Sequence, residues 1–532
     1  MPLRYRLTQL TSNCGDSVTV PEIGVTCIVG GNNAGKSQIL RDIVQVISND
    51  EARPVAVTTL KTTQTGSTDE SEAWLKDNSV PQPAPPGTPP TYTPYHGGNS
   101  LNLGQFNTFW SLSESGRGML QIAAGYFYWH ATAGALVNFA IGSMGAPGMG
   151  PVASPLAALF RNRELEQKLS SLSNEVFRQP LTLDRVNGDV KLRVGDPGVP
   201  IPPLNRPTLK YADAVRRLGS LGDQGDGMKA FIGLALYLVA DTAQVLLVDE
   251  PEAFLHPAQA RALGRWLATE ARAQDRQIIL ATHDRDLVLG LLDASAPVKM
   301  IRVNREADKT QLNELSESEL SEIWDDPVLR YSNILQGLFH EQVVVCEADA
   351  DCRFYGAVLD ILAGELGSRS LADDTLFVPS GGKRRAAVLA IALSRLGVSA
   401  FIIADFDLLN KRALLIASLE AVGGTWDEDL NQLYVRVADW INGFSTWPSL
   451  KTTGLNGLPA TGGVHSAGRE LLVQLAAMGL LIVPIGEMES FDKDILVEGS
   501  SWVSAMLERG GHKTCADARQ LVRELAARSD AS

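Results

Sequence analysis

The chain has 532 residues, of which 45% are apolar, and a formal net charge of −14 at pH 7. That length suits about three domains at ~150 residues each, and the apolar share is ample for large cores. The acidic balance excludes a generally sticky nucleic-acid coat, so any nucleic-acid contact must come from local basic patches helped by bound cations. The start, "MPLRYRLTQL", has no apolar signal core, and no run approaches the ~18 uncharged apolar residues of a membrane span. Five cysteines (Cys14, Cys27, Cys346, Cys352 and Cys515) form no CxxC pair, which argues against zinc and against a disulfide framework. A reduced, cytoplasmic protein with no membrane partner is expected.

The first motif is "GVTCIVGGNNAGKSQIL", residues 24–40. An apolar strand runs into Gly30, Gly35, Lys36 and Ser37, which fit G-x-x-x-x-G-K-S/T with a helix beginning about there. Glycines let backbone N–H groups wrap phosphates, and the helix N-terminus adds positive potential. Asn32 and Asn33 lie inside the same loop and are counted with the nucleotide-binding residues. Lys36 is expected to reach the β- and γ-phosphates of ATP, and the Ser37 hydroxyl to bind Mg²⁺.

Residues 50–210 read as a family-specific insertion into this first domain. "VPQPAPPGTPPTYTPYHGGNS", residues 80–100, is dense in Pro and Gly and reads as irregular and partly extended. "IGSMGAPGMGPVASP", residues 141–155, is another break. The aromatic run Tyr126, Phe127, Tyr128, Trp129 and His130 could stack bases, but contains no Lys or Arg, so buried core is the better reading. Residues 160–176 have helical spacing but are far too short for a long coiled coil.

Farther on, Gly222, Gly225 and Gly227 precede an apolar helix starting near Met228. "AQVLLVDEPEAFLHPAQ", residues 243–259, is a buried strand ending in Asp249 and Glu250, and "QIILATHDRDLV", residues 277–288, is another ending in His283. After a P-loop, this order resembles the ABC-type ATPases, and the wording "DEPEAFLHP" resembles those non-transporter members that act on nucleic acid. The resemblance implies that Asp249 orients the Mg²⁺ shell, Glu250 activates the attacking water and His283 senses the γ-phosphate. It also implies that Gly225 and Gly227 meet the γ-phosphate held by a second subunit, so a homodimer or higher assembly is expected. A typical signature has a Ser among its glycines; here the nearest is Ser220, before the densest of them.

The last third is organised around "VVVCEADADCRF", residues 343–354, and "AFIIADFDLL", residues 400–409. Each is a continuous apolar run ending in acid, as suits buried strands of a parallel sheet, whose ligands lie outside the carboxyl ends. Glu347, Asp351, Asp405 and Asp407 are candidate oxygen ligands for Mg²⁺ or Mn²⁺. Glu487 and Glu489, after a third strand, are further candidates, and Lys383, Arg384 and Arg385 could bind a nucleic-acid backbone. The pattern resembles the Toprim domain, with Ala348 where Gly often follows the first Glu. "VPSGGKRRAAVLAIALSRLG", residues 378–397, fits its intervening Gly-then-helix element.

The expected fold is therefore α/β: an ABC-type P-loop ATPase over residues 1–335, followed by a Toprim-like parallel-sheet domain over 340–532. That plan resembles the OLD family of ATP-dependent nucleases, shared with the Gabija nuclease subunit and similar to PARIS-type modules. The resemblance implies an ATP-regulated, metal-dependent endonuclease in antiphage defence, with Glu347, Asp405 and Asp407 catalytic, DNA expected ahead of RNA, and a second defence protein as a further partner. The alternatives are an ATPase regulator or sensor whose second domain binds metal or nucleic acid without cutting, a transport or tethering ATPase, and a topoisomerase or primase. The lack of a coiled coil and of a membrane segment counts against the second of these alternatives, and the lack of a zinc motif or of a module that places a catalytic tyrosine against the third.

Overall fold

The computed structural model describes residues 3–48, 53–115, 120–140, 154–203, 206–240, 243–294, 296, 298–315, 333–444 and 447–529. The chain divides into two compact units, Met1–Glu317 and Ser318–Ser532. Among the described residues, no helix is long and apolar enough to cross a membrane.

The first unit is built on a six-stranded sheet. Its strands are β1 (Gly24–Val29), β2 (Tyr128–Thr132), β3 (Val245–Asp249), β4 (Gln277–Ala281), β5 (Val298–Glu306) and β6 (Lys309–Leu315). They lie in the order β6-β5-β1-β4-β3-β2. All neighbours are parallel except the β5–β6 hairpin. Every residue of β1 and of β4 is buried, which is why these strands carry unbroken apolar runs rather than an alternating pattern. Helices α1 (Lys36–Ser48), α2 (Asp226–Ala240), α3 (Pro257–Ala273) and α4 (Arg285–Asp293) belong to the same unit. Because β1, β3 and β4 run the same way, the loops after Val29, Asp249 and Ala281 gather at one edge.

Three small antiparallel sheets complete the unit. In one, Arg4–Ser12 pairs with both Ser17–Thr19 and Val57–Thr65. The Pro-rich stretch is partly extended, as expected, but more regular: Ser79–Gln82, Thr91–Pro94 and Leu101–Asn102 form a three-stranded ribbon. Pro81 and Pro94 take ends or edge positions in it, where a missing N–H costs little. Buried Tyr92 anchors the ribbon to the core. The aromatic run also goes inward. Tyr126 and Phe127 are buried, and the Phe127 ring stacks on Trp74 and Trp110 with centroids 4.8 and 5.1 Å away. The helical stretch expected over 160–176 is broken at Asn162, which ends the helix Pro155–Arg161 and caps the helix Arg163–Phe177; the latter lies beside a third small sheet that includes Leu181–Asp184 and Lys191–Val194. Of the break at 141–155, residues 141–153 lie outside the described residues.

The second unit holds a four-stranded, wholly parallel sheet. Its strands are β7 (Gln342–Cys346), β8 (Thr375–Pro379), β9 (Ser399–Ala404) and β10 (Leu480–Ile482), in the order β8-β7-β9-β10. Helix α5 (Asp349–Leu366) follows β7, and α6 (Lys383–Arg395) follows β8. The long crossover from β9 to β10 is mostly helical, with Arg412–Ala421, Glu428–Phe444 and Val464–Ala477 as its main pieces. One core cluster joins Val344, Phe354, Tyr355, Ile403, Leu481 and Trp502.

Candidate functional site

At the carboxyl edge of the first sheet, the P-loop wraps between β1 and α1. Gly35 sits at φ 95°, a conformation that only Gly adopts without strain. Asn32 and Asn33 are exposed at the turn, and Asn33 is itself left-handed at φ 62°. The buried Lys36 ammonium turns back into the loop and donates to the carbonyls of Gly30 at 2.9 Å and Gly31 at 2.8 Å. Burial pulls its pKa down, while Glu250, Glu252 and Asp249 oppose that. The Ser37 hydroxyl donates to Asp249 Oδ1 at 2.9 Å, so the two residues expected on one ion are already in contact.

Glu250 follows directly at φ 50°, a left-handed conformation strained for a residue with a side chain. Its Oε1 is 3.0 Å from His283 Nδ1. The expected water-activating carboxylate and switch histidine are therefore neighbours at the end of adjacent strands. Helix α2 begins at Asp226, so Gly225 precedes it and Gly227 lies in its first turn. A Cβ on Gly227 would lie 2.4 Å from the Phe254 carbonyl, which explains that glycine by packing within one subunit. A Cβ on Gly225 would meet open space.

Sequence reasoning missed two residues here. Glu252 is buried, and its Oε1 accepts from the Thr282 hydroxyl at 2.6 Å. The available signal was a third acid in "DEPEAF", in a turn directly behind a buried strand.

In the second unit, Glu347 and Asp405 follow the carboxyl ends of the neighbouring strands β7 and β9, and Asp407 lies two residues on, in the short helical turn Phe406–Asn410. They surround the Lys383 ammonium, which enters from the start of α6. Lys383 Nζ donates to Asp407 Oδ1 and lies 3.6 Å from Glu347 Oε2 and 3.9 Å from Asp405 Oδ2. Among the described residues, no group of three or more His, Cys, Asp or Glu side chains is arranged to hold a metal ion. The expected carboxylate cage is thus not closed in this structure, because an ammonium lies between its walls. Arg384 and Arg385 remain exposed on the first turn of α6. Of the expected basic cluster, Lys383 alone turns inward.

Burial pushes the Asp405 carboxyl up to about 8, with Lys383 opposing and Glu347, Asp351 and Asp407 reinforcing. Asp351 is pushed up to about 6, again by burial first. Its Oδ2 also accepts from the Ala348 N–H at 2.8 Å, so this acid caps α5. Glu347 Oε2 is enclosed without a hydrogen-bond partner among the described residues. Glu487 pairs with Lys451 at 2.9 Å, and Glu489 Oε1 accepts from the Gly499 N–H at 3.0 Å. Both acids are therefore engaged, and Lys451 is a second cation that sequence reasoning did not connect to this edge.

Residues 200–290 match the family model described as "AAA domain, putative AbiEii toxin, Type IV TA system". No match is found among curated proteins. Solved structures with some similarity include the SMC head domain from Thermotoga maritima, at 16% identity and TM-score 0.31, covering 59% of this chain and 100% of that one. Another is the Pyrococcus furiosus Smc head with an extended coiled coil, bound to the C-terminal domain of ScpA. It has 13% identity and TM-score 0.33, and covers 61% of this chain and 99% of that one. The ADP conformation of an ATP-binding cassette of an ABC transporter gives 15% identity and TM-score 0.26, with 62% and 96% covered. The matched family stretch contains Gly225, Gly227, Asp249, Glu250 and His283, and the P-loop lies against Asp249. The first unit therefore carries an α/β P-loop domain of ATPase type.

Proposed function

We propose that this chain is an ATP-regulated, divalent-metal-dependent nuclease of the OLD type, with an ABC-type ATPase over its first unit and a Toprim-like nuclease over its second. The observation that supports it most is the gathering of Glu347, Asp405 and Asp407 about one cationic group, at the carboxyl edge of a parallel sheet, in a chain whose other unit brings Ser37 to Asp249 and Glu250 to His283. Lys36 and the loop amides would hold the β- and γ-phosphates of ATP, Ser37 and Asp249 would orient its Mg²⁺, and Glu250 would take the proton of the attacking water with His283 beside it. Two copies would complete the ATP sites, each lending Gly225 and Gly227 to the other.

The second unit offers hard oxygen donors, which suit Mg²⁺ or Mn²⁺. Glu347, Asp405 and Asp407 would hold the ion, with Asp351, Glu487 and Glu489 behind them. Bound there, a divalent ion supplies an activated water and stabilises the leaving oxygen of a phosphodiester. Lys383 would leave the carboxylates and face the nucleic-acid phosphate, and exposed Arg384 and Arg385 would bind its backbone. DNA is the favoured substrate and antiphage defence the favoured setting, with a second defence protein as partner. The alternative, an ATPase regulator that does not cut, is favoured by one observation: Lys383 already occupies the space between the acids and pairs with Asp407.

The test is incubation of the pure protein with plasmid, linear DNA and tRNA, with Mg²⁺ or Mn²⁺, with and without ATP. Metal-dependent cleavage lost in Asp405→Ala, with ATP turnover retained, is the expected result. Turnover should be lost in Lys36→Ala and Glu250→Gln. ATP turnover with no cleavage of any substrate would favour the regulator.

A further inference from the structure

The Glu252 carboxyl is one of the most deeply enclosed ionisable groups near the ATP site, with only 4% of its side chain exposed. Its two oxygens are used unequally. Oε1 accepts from the Thr282 hydroxyl at 2.6 Å and from the His283 N–H at 3.4 Å. Oε2 is buried with no hydrogen-bond partner among the described residues. A residue placed only to fill space would be apolar, since an enclosed carboxyl with an unused oxygen is costly.

The contacts of Oε1 show what that cost accompanies. Glu252 lies two residues after Glu250, whose backbone is left-handed at φ 50°. The Glu250 N–H donates to the Ala281 carbonyl at 2.9 Å. Together with the two bonds to Glu252, this stitches the turn after β3 to the chain from Ala281 to His283. Across that seam, His283 Nδ1 faces Glu250 Oε1 at 3.0 Å and Glu252 Oε1 at 3.8 Å. The seam continues away from the site: the Thr282 hydroxyl accepts from the Asp284 N–H at 2.9 Å, and Asp284 Oδ1 caps α4 by accepting from the Leu287 N–H at 2.7 Å.

We infer that Glu252 is a positioning residue of the ATPase site, holding the Thr282–His283 turn against the turn that carries Glu250, so that histidine and water-activating carboxylate reach working geometry together. This rests on the ATPase part of the proposed function and is independent of the nuclease part. Burial pushes the carboxyl up to about 7, against the Thr282 bond, so a proton on the enclosed oxygen is accessible near neutral pH. A glutamine, which is neutral and keeps an acceptor oxygen, should therefore serve almost as well.

The experiment measures steady-state ATP turnover, nucleotide affinity and thermal stability of the full chain as wild type, Glu252→Gln, Glu252→Ala, Thr282→Val and the Glu252→Ala/Thr282→Val double variant. Glu252→Ala and Thr282→Val should each lower kcat by ~10–100-fold, the usual loss when a group that orients a working side chain is removed. Nucleotide affinity should stay within about threefold, and Glu252→Gln should retain most of the turnover. The double variant should lose clearly less than the product of the two single losses, since both break the Thr282–Glu252 bond. Normal turnover in Glu252→Ala and Thr282→Val, losses that simply multiply, or a Gln variant as poor as Ala would overturn the assignment. If Glu252→Ala does not fold, Thr282→Val, which matches threonine in shape but lacks the hydroxyl, decides alone. Wild-type protein without ATP turnover would overturn the ATPase reading and this inference with it; active wild type with unaffected variants would overturn only this inference.

Discussion

Lys383 joins Glu347, Asp405 and Asp407, which otherwise repel one another across a narrow space. Removing the ammonium leaves the three acids without the cation that lies between them, which disfavours the folded state but favours an incoming divalent ion. Lys383→Ala should therefore lower metal-free stability by on the order of 1–3 kcal/mol, the scale for losing hydrogen bonds to charged groups. The same variant should need less Mn²⁺ than wild type to regain stability, and calorimetric titration should show tighter Mn²⁺ binding. Cleavage should nevertheless fall if Lys383 contacts the scissile phosphate. Unchanged melting and unchanged Mn²⁺ affinity would mean that this ammonium does not balance the cluster.

At the scale of elements, Asp42 on α1 shows what sequence patterns conceal. It is fully buried. Its Oδ2 accepts from the N–H groups of Val55, Ala56 and Val57 at 3.1, 2.6 and 3.0 Å. Gln38 Nε2 donates to Oδ1 at 2.7 Å. One carboxylate thus pins the P-loop helix to the start of strand Val57–Thr65. Asp42→Ala would strand three backbone donors and should destabilise the protein by about 3 kcal/mol or more, with Asp42→Asn milder because one acceptor oxygen remains. Thermal melts of both variants check this, and a loss below 1 kcal/mol for Ala would show that water replaces the carboxylate. The sequence made the strands before Gly30, Asp249, Thr282 and Glu347 legible, because strands covered on both faces must be apolar throughout. It also pointed to the strand-end acids, since charge after an apolar run is conspicuous. The regular pairing of the Pro-rich ribbon was not legible, because its short strands are held by single buried residues, Val80, Tyr92 and Leu101, and by the Tyr126 hydroxyl from farther along the chain. Thr282 and Asp42 were hidden because the partners that define their roles, Glu252 and the Val55–Val57 amides, lie on other elements, and for Glu252 the one local sign was a further acid in "DEPEAF".

For the molecule as a whole, the carboxyls of the second unit dictate how stability should vary with pH. An unperturbed Asp titrates near 3.9. In the fold, burial raises Asp351 to about 6 and Asp405 to about 8. An acid with a raised folded value binds more protons folded than unfolded, so its contribution is fully present below about pH 4 and is lost as pH rises through the folded value. Without a divalent ion, the melting temperature should therefore fall from pH 5.5 to about pH 8 and then level off, with Asp351 contributing to the slope only up to about pH 6 and Asp405 up to about pH 8. The general repulsion of a chain with net charge −14 acts in the same direction, so the slope alone does not isolate the cluster. Asp405→Asn does, because it removes the group that titrates highest, and its slope should be shallower than that of wild type. A divalent ion needs the acids ionised and competes with their protons. Added Mn²⁺ should consequently raise the melting temperature strongly at pH 8.5 and little at pH 5.5, and the gain should be lost in Asp405→Asn. A larger Mn²⁺ effect at pH 5.5, or an undiminished effect in the Asn variant, would place the ion away from Asp405.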